Sequence, residues 1–371
     1  MAQPLTGVQR FARQLVKAMD RKAFHSSVAG DFRFIVLAPP DAVLPDLRHV
    51  DVRTVGRLRG HVWDQLELPG YARNGMLLSL CGAGPVFHPR HVVAMHDAAV
   101  FTNPGNYSRR YRTFHRALAP ALARSAKAII TVSRFSWQEL IRHCPATQEK
   151  LKVVPNGADH VLAAASDATV LRSHGLARGR YVLALGSVSP NKNVAAAAAA
   201  IAELDDAGIR LVVAGGSSSS VFSACSIERG MRLTALGRVS DGAVRALYEN
   251  ALCFVFPSFY EGFGIPPLEA MLCGCPVIVS DIPALRETCG DAALYCDPHD
   301  PRSLAAQIRA VATDPDLRDR LRRLGLVRAR GFSWERSASL LLDVIREVAN
   351  AEVVPGRLGR TSSRSAPQGQ A

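Results

Sequence analysis

The chain alternates short apolar runs with segments of helical length, and it does so in both halves. The first half carries FRFIVLAP, PVFHPRHVVAMHD, KAIITVS and KLKVVPNG, and the second carries a further series from RYVLALGSV to ALYCDP. Strands that are apolar almost throughout are typical of parallel sheets covered by helices on both faces. The pattern therefore predicts an α/β chain with two doubly wound, Rossmann-like domains facing a cleft.

Length and local composition indicate where these domains divide. A chain of 371 residues can hold two domains of ordinary size, each with its own core. The segment VVPNGADH closes the first unit, and the polar SHGLARGR precedes the next strand. We therefore expect one domain over residues 1–165 and another over 175–332. The final segment is rich in Arg, Ser, Gly and Pro, and it predicts a disordered tail over 355–371.

The start of the chain departs from this pattern. TGVQRFARQLVKAMD is typical of a glycine-containing loop that runs into an amphipathic helix, yet only five residues precede it. These residues leave no room for the strand that feeds such a loop in a Rossmann-like domain. Either the first strand is missing from this sequence, or the sheet is built without it.

The net charge of +13 is concentrated in the first half, which indicates an anionic partner. Residues 1–160 contain 22 Lys and Arg against 11 Asp and Glu, a balance of +11. Phosphorylated small molecules, an anionic membrane surface and nucleic acid all carry the complementary charge, and a general excess of arginine in the proteome would also explain it. Aromatic residues make up 6% of the chain and no nucleic-acid-binding motif is present, so nucleic acid is not expected.

Signals for membrane insertion, secretion and metal binding are absent from the sequence. The longest apolar runs, such as VAAAAAAIA from Val194, are shorter than the roughly 20 residues of a membrane span. The N-terminus has no apolar stretch of signal-peptide length, so we expect a cytoplasmic protein. The eight cysteines form no CxxC pair and have no histidines at metal-ligand spacing, which predicts free thiols and no metal site.

The residues that follow the predicted strands are the candidates for a binding site, because ligands of open α/β sheets bind beyond the carboxyl ends of the strands. In chain order they are Thr6 and Gly7, His96 and Asp97, Ser133 and Arg134, Gly186 to Lys192, Gly215 and Gly216, Gly237 and Arg238, and Glu261 to Glu269. The last of these segments carries the most chemical information.

The segment FYEGFGIPPLEA, residues 259–270, has the composition of a ligand-binding corner. It lies between the buried-type strands ALCFVFPS and PVIVS, so Glu261 falls on a loop and Glu269 in the first turns of a helix. The two prolines suit a helix start, and the two glycines let the backbone approach a ligand closely. Amides at a helix N-terminus favour an anion such as phosphate, and two carboxylates can accept hydrogen bonds from hydroxyls of sugar and ribose rings. A site is therefore favoured over a capped turn with incidental acids.

The longer run SFYEGFGIPPLEAMLCGCPVIVSDIPALRETCGDAALYCDPHDP resembles the signature region of retaining glycosyltransferases of family 4, which have the GT-B fold. Glu261 and Glu269 match that family's two glutamates separated by seven residues. Further matches, from TGVQRFARQLV to FSWERSASLLLDVI, cover nearly the whole chain. The resemblance implies an acceptor-side first domain, a nucleotide-sugar-binding second domain, and a helix over 333–350 that packs back toward the first domain.

The resemblance also implies a role for each matching residue. Among the catalytic positions, Glu261 would lie near the hydroxyls of the donor sugar, Lys192 would neutralise the departing diphosphate, and His96 would face the transferred sugar. Glu269 would bind the ribose of the nucleotide. The other donor-binding residues would be Phe263, Gly264, Ile265, Gly186, Gly237 and Arg238. The residues on the acceptor or phosphate side would be Gly7, Asp97, Ser133 and Arg134.

Two features depart from the family pattern. Many members carry an arginine near the start of the GSVSPNKN loop or just before its lysine, where this chain has Ser187 and Asn191. Neutralisation of the diphosphate would then draw on Arg134 or Arg238 in addition to Lys192, or be weaker. The second departure is the missing strand at the start of the chain.

The function implied by the resemblance is that of a retaining glycosyltransferase that needs neither a metal nor a cofactor. It would move a sugar, with mannose favoured, from a nucleotide diphosphate sugar to a glycan or lipid-linked acceptor in surface polysaccharide biosynthesis. GDP-mannose is the favoured donor, followed by UDP-sugars. The alternatives are a GT-B sugar-nucleotide epimerase, which would need no acceptor, and a catalytically degenerate partner subunit.

The basic segment SRRYRTFHRALAPALARSAK, residues 108–127, predicts a helix with an arginine-rich face. In relatives that glycosylate lipid-linked acceptors, such a face contacts the membrane surface. The resemblance thus implies a peripheral contact with anionic lipid at the inner face of the membrane. A plain solvated face is the alternative.

Overall fold

The computed structural model describes residues 7–25, 32–185, 189–204, 208–216 and 232–353. Within these residues every strand pairing is parallel, and the strands form three sheets. Two of the sheets belong to the N-terminal half of the chain and one to the C-terminal half. The predicted tail over 355–371 lies outside the described residues.

The N-terminal half contains the strand pair β1-β2 and a separate sheet of order β3-β4-β5-β6, which we call the N-terminal sheet. The strands are β1 (Ile35–Ala38), β2 (Asp51–Thr54), β3 (Leu77–Ser79), β4 (His91–Ala94), β5 (Ala128–Thr131) and β6 (Leu151–Val153). The helices are α1 (Gly7–His25), α2 (Gly60–Leu66), α3 (Leu68–Ala72), α4 (Ala99–Thr102), α5 (Arg109–Ser125) and α6 (Arg134–His143).

The C-terminal half contains one sheet of order β12-β11-β10-β7-β8-β9 among the described residues, which we call the C-terminal sheet. Its strands are β7 (Tyr181–Leu185), β8 (Arg210–Ala214), β9 (Leu233–Gly237), β10 (Cys253–Phe256), β11 (Val277–Ser280) and β12 (Leu294–Cys296). The helices are α7 (Thr169–Ser173), α8 (Val194–Ala202), α9 (Asp241–Asn250), α10 (Ile265–Leu272), α11 (Pro283–Cys289), α12 (Pro301–Thr313), α13 (Pro315–Arg330) and α14 (Trp334–Val353).

Among the described residues, the strands of the N-terminal half form two separate pieces. β1 pairs with β2, β3 pairs with β4, and no described strand joins the two pieces. That the first strand is missing from the sequence stays a prediction. Residues 1–6, which precede α1, are not described.

Two strands of the N-terminal half, β2 and β3, were not predicted from the sequence. β2 has the sequence DVRT and is exposed at all positions, so it lacks the apolar pattern of a buried strand. β3 has only the three residues LLS, which is too short for a periodicity to be visible.

The buried core covers both faces of the sheets and is continuous between the two halves. The largest apolar cluster includes Phe11 of α1, Val92 of β4, Phe254 of β10 and Trp334 of α14. Two further clusters cover the opposite faces of the C-terminal and N-terminal sheets. Helix α14 returns to the N-terminal half, where Glu335 lies 2.8 Å from Nζ of Lys22.

Candidate active site

The loop between β10 and α10 makes a sharp corner at the carboxyl edge of the C-terminal sheet. Helix α10 begins at Ile265, with its two prolines in the first turn. Gly264 precedes it with a φ of 100°, a backbone conformation that residues with side chains rarely adopt. A Cβ on Gly264 would also lie 2.6 Å from Cδ2 of Leu285. The corner therefore requires glycine, and its backbone can come close to a ligand.

An ion pair joins Lys192 to Glu261 at this corner. Nζ of Lys192 lies 2.7 Å from Oε1 of Glu261, whose side chain is 13% exposed. The ammonium also lies 4.8 Å from the ring centre of Phe256, at the end of β10. Because both groups are partly buried, their charges are screened less than those of a surface pair and are still accessible to a ligand.

Asn191 holds the lysine-bearing turn against the corner. Its side-chain NH2 donates to the backbone carbonyl of Tyr260 at 2.7 Å, and its backbone carbonyl accepts from the backbone amide of Phe259 at 3.0 Å. The asparagine that stands where the family pattern often has arginine therefore fixes the position of the turn. The other departure, Ser187, lies outside the described residues together with Gly186.

His96 follows β4 and approaches the same region from the N-terminal sheet. Its Nε2 lies 2.9 Å from the carbonyl oxygen of Leu80, and the ring of Phe11 packs edge-on against it at 4.7 Å. Burial lowers the pKa of His96, and the Leu80 carbonyl and Asp97 oppose this only in part. The neutral ring then donates from Nε2 to Leu80, which leaves Nδ1 as a hydrogen-bond acceptor.

Asp97 of the N-terminal half lies close enough to Lys192 and Glu261 of the C-terminal half for their charges to shift its pKa. Its Oδ1 accepts a hydrogen bond from the amide of Ala99 at 2.8 Å. Burial raises the pKa of Asp97, and the negative charge of Glu261 adds to this, while Ala99, His96 and Lys192 act in the opposite direction. Residues of the two sheets therefore share one electrostatic environment.

Gly262 brings the two halves into direct contact. A Cβ on this residue would lie 2.9 Å from Cβ of Asp97, and 3.1 Å from both the carbonyl oxygen of His96 and Oγ of Ser136. Its carbonyl accepts hydrogen bonds from Oγ of Ser133 at 2.6 Å and of Ser136 at 3.0 Å. Glycine is therefore needed here for the halves to meet.

A carboxylate from the C-terminal half caps helix α6 of the N-terminal half. Oε1 of Glu287 accepts from the amide of Arg134 at 2.7 Å, and Oε2 accepts from the amide of Phe135 at 2.9 Å. These amides lack partners inside their own helix, and the helix dipole favours a negative charge at this end. Of the predicted acceptor-side residues, Ser133 thus contacts the other half through its hydroxyl and Arg134 through its amide. The Arg134 side chain is exposed.

Glu269 lies on the buried side of α10 and is 6% exposed. Oε2 of Glu269 accepts from the hydroxyl of Tyr248 at 3.2 Å, and Oε1 lies 2.8 Å from Nε2 of His160. Burial is the largest influence on this carboxyl group and opposes its ionisation, but His160, Arg10 and Tyr248 together outweigh it and lower the pKa of Glu269. The group is therefore a carboxylate at neutral pH.

The remaining predicted residues lie at the ends of elements or inside the core. The side chains of Phe263 and Ile265 are buried, so these residues could meet a ligand mainly through their backbone. Gly7 begins α1, and Gly237 ends β9 with a φ of 65°. Arg238 follows it and is exposed. In the part of the chain that the structure describes, no group of His, Cys, Asp or Glu side chains is arranged to hold a metal ion.

Three residues that contact the predicted site were missed at the sequence level: His160, Ser136 and Glu287. His160 lies beyond the carboxyl end of β6, in the segment VVPNGADH that closes the first predicted domain. Its position after a strand is the signal that could have identified it. Ser136 and Glu287 lie within helices, and their relevance depends on how the two halves pack.

Similarity to solved structures establishes the fold. Sucrose-phosphate synthase from Thermosynechococcus elongatus superposes with a TM-score of 0.72 at 19% identity, over 93% of this chain and 94% of that one. Anabaena HepE, solved in complex with UDP-glucose, gives a TM-score of 0.69 at 16% identity, over 95% and 97% of the two chains. The protein has the GT-B fold of glycosyltransferases.

Sequence comparison gives the family. Residues 5–162 match the family model described as Glycosyltransferase Family 4, and residues 169–325 match the one described as Glycosyl transferases group 1. O-antigen chain mannosyltransferase B of Escherichia coli is 31% identical over an alignment of 373 positions, which covers 92% of this chain and 96% of that protein. The chain therefore belongs to glycosyltransferase family 4 and is a transferase enzyme.

Proposed function

We propose that the protein transfers mannose from GDP-mannose to a glycan or lipid-linked acceptor in surface polysaccharide biosynthesis. The transfer retains the anomeric configuration and uses no metal ion. The observation that carries the proposal is the Lys192–Glu261 pair at a glycine corner, in direct contact with the His96–Asp97 segment of the other sheet. The likeness to an O-antigen mannosyltransferase supports mannose as the sugar, and a UDP-glucose complex of a structural relative supports a nucleotide sugar as the donor.

The corner would hold the diphosphate of the donor. The backbone of Phe263, Gly264 and Ile265 lies at the start of α10, where helix amides and the helix dipole favour an anion. The ammonium of Lys192 would neutralise the charge that develops on the diphosphate as the sugar departs. This is the contribution that a metal ion makes in other transferases, which is why we propose a metal-independent reaction.

Hydrogen-bond acceptors on both sides of the corner would orient the sugar. The Glu261 carboxylate can accept from sugar hydroxyls while one of its oxygens contacts Lys192. Across the cleft, Nδ1 of His96 is an acceptor because Nε2 is directed at Leu80. Glu269 would accept from the ribose hydroxyls of the nucleotide. The acceptor would enter from the N-terminal half and attack on the face from which the diphosphate leaves, which retains the configuration.

Donor binding tests this proposal directly. Titration of the protein with GDP-, UDP-, ADP- and dTDP-sugars should raise the midpoint of thermal unfolding most with GDP-mannose. A ligand at about 100 times its Kd stabilises the folded state by about 2.7 kcal/mol, which corresponds to a shift of several degrees. Free mannose at the same concentration is the control and should give no shift. If no nucleotide sugar raises the midpoint, the proposal is wrong.

A surface on the N-terminal half would support a contact with anionic membrane at the cytoplasmic side. The apolar side chains of Val62, Leu66, Tyr71 and Phe87 are exposed by 54% or more. Helix α5 contacts α2 through the ring of Phe114, which lies 4.6 Å from that of His61, and it exposes several arginines. Exposed apolar groups with a basic border suit the interface of an anionic bilayer. No described helix is long and apolar enough to span a membrane.

Vesicle flotation tests the membrane contact. Replacing Arg109, Arg110 and Arg116 by glutamine should lower the partition coefficient onto phosphatidylglycerol-containing vesicles by about 100-fold, because each basic residue near anionic lipid contributes about 1 kcal/mol. The matched control replaces the exposed Arg320, Arg323 and Arg330 of α13 by glutamine. Equal losses in both triple variants would show a general charge effect and contradict a specific surface.

A further inference from the structure

A series of buried polar contacts lies behind the corner between β10 and α10. It includes groups to which the proposed mechanism gives no role. It begins at Trp334, the first residue of α14, whose indole Nε1 donates to Nδ1 of His160 at 3.0 Å. It continues from Nε2 of His160 to Oε1 of Glu269 at 2.8 Å. It ends at Tyr248 of α9, whose hydroxyl lies 3.2 Å from Oε2 of Glu269. Both oxygens of this carboxylate are therefore contacted by side chains from outside α10.

The indole N–H of Trp334 fixes the position of the proton on the His160 ring. An indole N–H can only donate, so Nδ1 of His160 accepts and carries no proton. The ring proton of the neutral tautomer is then on Nε2, the atom at ion-pair distance from Glu269. The two atoms are 2.8 Å apart, and their contact lowers the pKa of Glu269. The contact therefore holds one oxygen of the carboxylate in place.

Several elements contribute charged or titratable groups around Glu269. His160 comes from the segment between the two halves, Tyr248 from α9 and Arg10 from α1, and Cys273 follows the end of α10. Burial raises the pKa of Cys273 to about 12 and keeps Tyr248 protonated. The contacts with His160 and Tyr248 and the positive charge of Arg10 therefore keep the buried Glu269 ionised.

The same series of contacts also connects Glu269 to the N-terminal half. Trp334 contacts the ring of Phe11 at 6.1 Å, and Phe11 packs against His96 at 4.7 Å. Gly157 permits this packing, because a Cβ on it would lie 2.3 Å from the backbone nitrogen of Trp334. Trp334 thus links His160 to the N-terminal half through Phe11.

We propose that His160 is a positioning residue for the ribose-binding carboxylate of Glu269, and that Trp334 sets the tautomer in which it acts. The proposal rests on the proposed function, since it requires a nucleotide whose ribose reaches Glu269. His160 itself does not touch the nucleotide. It orients the acceptor oxygens of Glu269 and keeps them charged, so that the ribose hydroxyls meet a fixed carboxylate.

Calorimetric titration with a nucleoside diphosphate and its 2′,3′-dideoxy analogue tests the role. The wild-type protein should bind GDP about 10- to 100-fold more tightly than dideoxy-GDP, because hydrogen bonds to a charged group are among the stronger ones. His160→Leu should raise the Kd of GDP about 10-fold and leave that of dideoxy-GDP nearly unchanged. His160→Gln, which keeps an N–H donor, should restore part of the preference for GDP over dideoxy-GDP. The control His174→Leu changes an exposed histidine and should have no effect.

The pH dependence provides a second readout. In the wild-type protein His160 lowers the pKa of Glu269, so the carboxylate stays ionised as the pH falls. Without His160 the burial of Glu269 is less opposed and its pKa is higher. In His160→Leu the preference for GDP over dideoxy-GDP should therefore disappear at a higher pH than in the wild type.

The outcomes separate this proposal from the proposed function. If His160→Leu keeps the wild-type preference for GDP, or weakens both nucleotides equally, the positioning role is wrong while the proposed function stands. If the wild-type protein binds no nucleoside diphosphate, the proposed function fails and this inference fails with it. Should His160→Leu not fold, Trp334→Phe removes the indole donor while keeping the ring, and it must lower the preference for GDP. An unchanged preference in that variant overturns the proposal.

Discussion

Replacing Lys192 by alanine should lower kcat for sugar transfer by at least about 100-fold, the scale of losing one preorganised charge-stabilising contact. The ammonium lies 2.7 Å from Glu261, at the corner where the diphosphate would sit. Its removal also leaves the negative charge of Glu261 unopposed beside the developing charge of the leaving group. Both effects raise the free energy of the transition state, and steady-state kinetics with GDP-mannose would measure their sum.

Two further variants separate the charge of Lys192 from its general contribution to folding. Lys192→Arg keeps the positive charge and should retain more activity than Lys192→Ala. Lys152 forms a similar pair with Glu347, with Nζ 2.8 Å from Oε1, on the surface away from the corner. Lys152→Ala should therefore change kcat by less than about twofold, since surface ion pairs contribute little. Turnover at the wild-type rate in Lys192→Ala would refute the role of Lys192.

Replacing Gly262 by alanine should also lower kcat by about 100-fold, but for a geometric reason. The added methyl group would lie 2.9 Å from Cβ of Asp97 and 3.1 Å from the carbonyl oxygen of His96. The two halves would have to separate slightly, and a misplacement of about 1 Å in a reacting geometry can cost about 100-fold in rate. The Kd of GDP should change little, because the residues proposed to bind it belong to the C-terminal half.

Gly70 provides the matched control for this substitution. It is an exposed residue of α3, and a Cβ on it would meet no atom within 4 Å. Gly70→Ala should therefore leave both kcat and the Kd of GDP unchanged. If Gly262→Ala turns over like the wild type, the contact between the halves is not needed for transfer. If it loses GDP binding as strongly as turnover, the substitution damages the donor site itself.

The sequence allowed prediction of the elements whose signal is local. Apolar runs identified strands such as β5 and β10, because a strand covered on both faces needs apolar residues at nearly every position. The corner between Glu261 and Glu269 was also visible, because glycine and proline report backbone requirements within a few residues.

Contacts between distant segments could not be read from the sequence. The 2.8 Å approach of His160 to Glu269 joins residues that are more than a hundred positions apart. The capping of α6 by Glu287 likewise depends on how the two halves pack. From the sequence, Asn191 was interpreted only as an asparagine in place of the family's arginine. Its hydrogen bond to Tyr260 shows that it has a structural role. Such contacts depend on tertiary geometry, which leaves no periodic trace in the chain.

Product analysis tests whether the two halves form one centre for retaining sugar transfer. The protein would be incubated with GDP-mannose and a glycan acceptor, and the product examined by nuclear magnetic resonance. We expect release of GDP in proportion to a new glycosidic bond whose anomeric configuration is that of the donor. An inverted linkage, or interconversion of sugar nucleotides without consumption of acceptor, would contradict it.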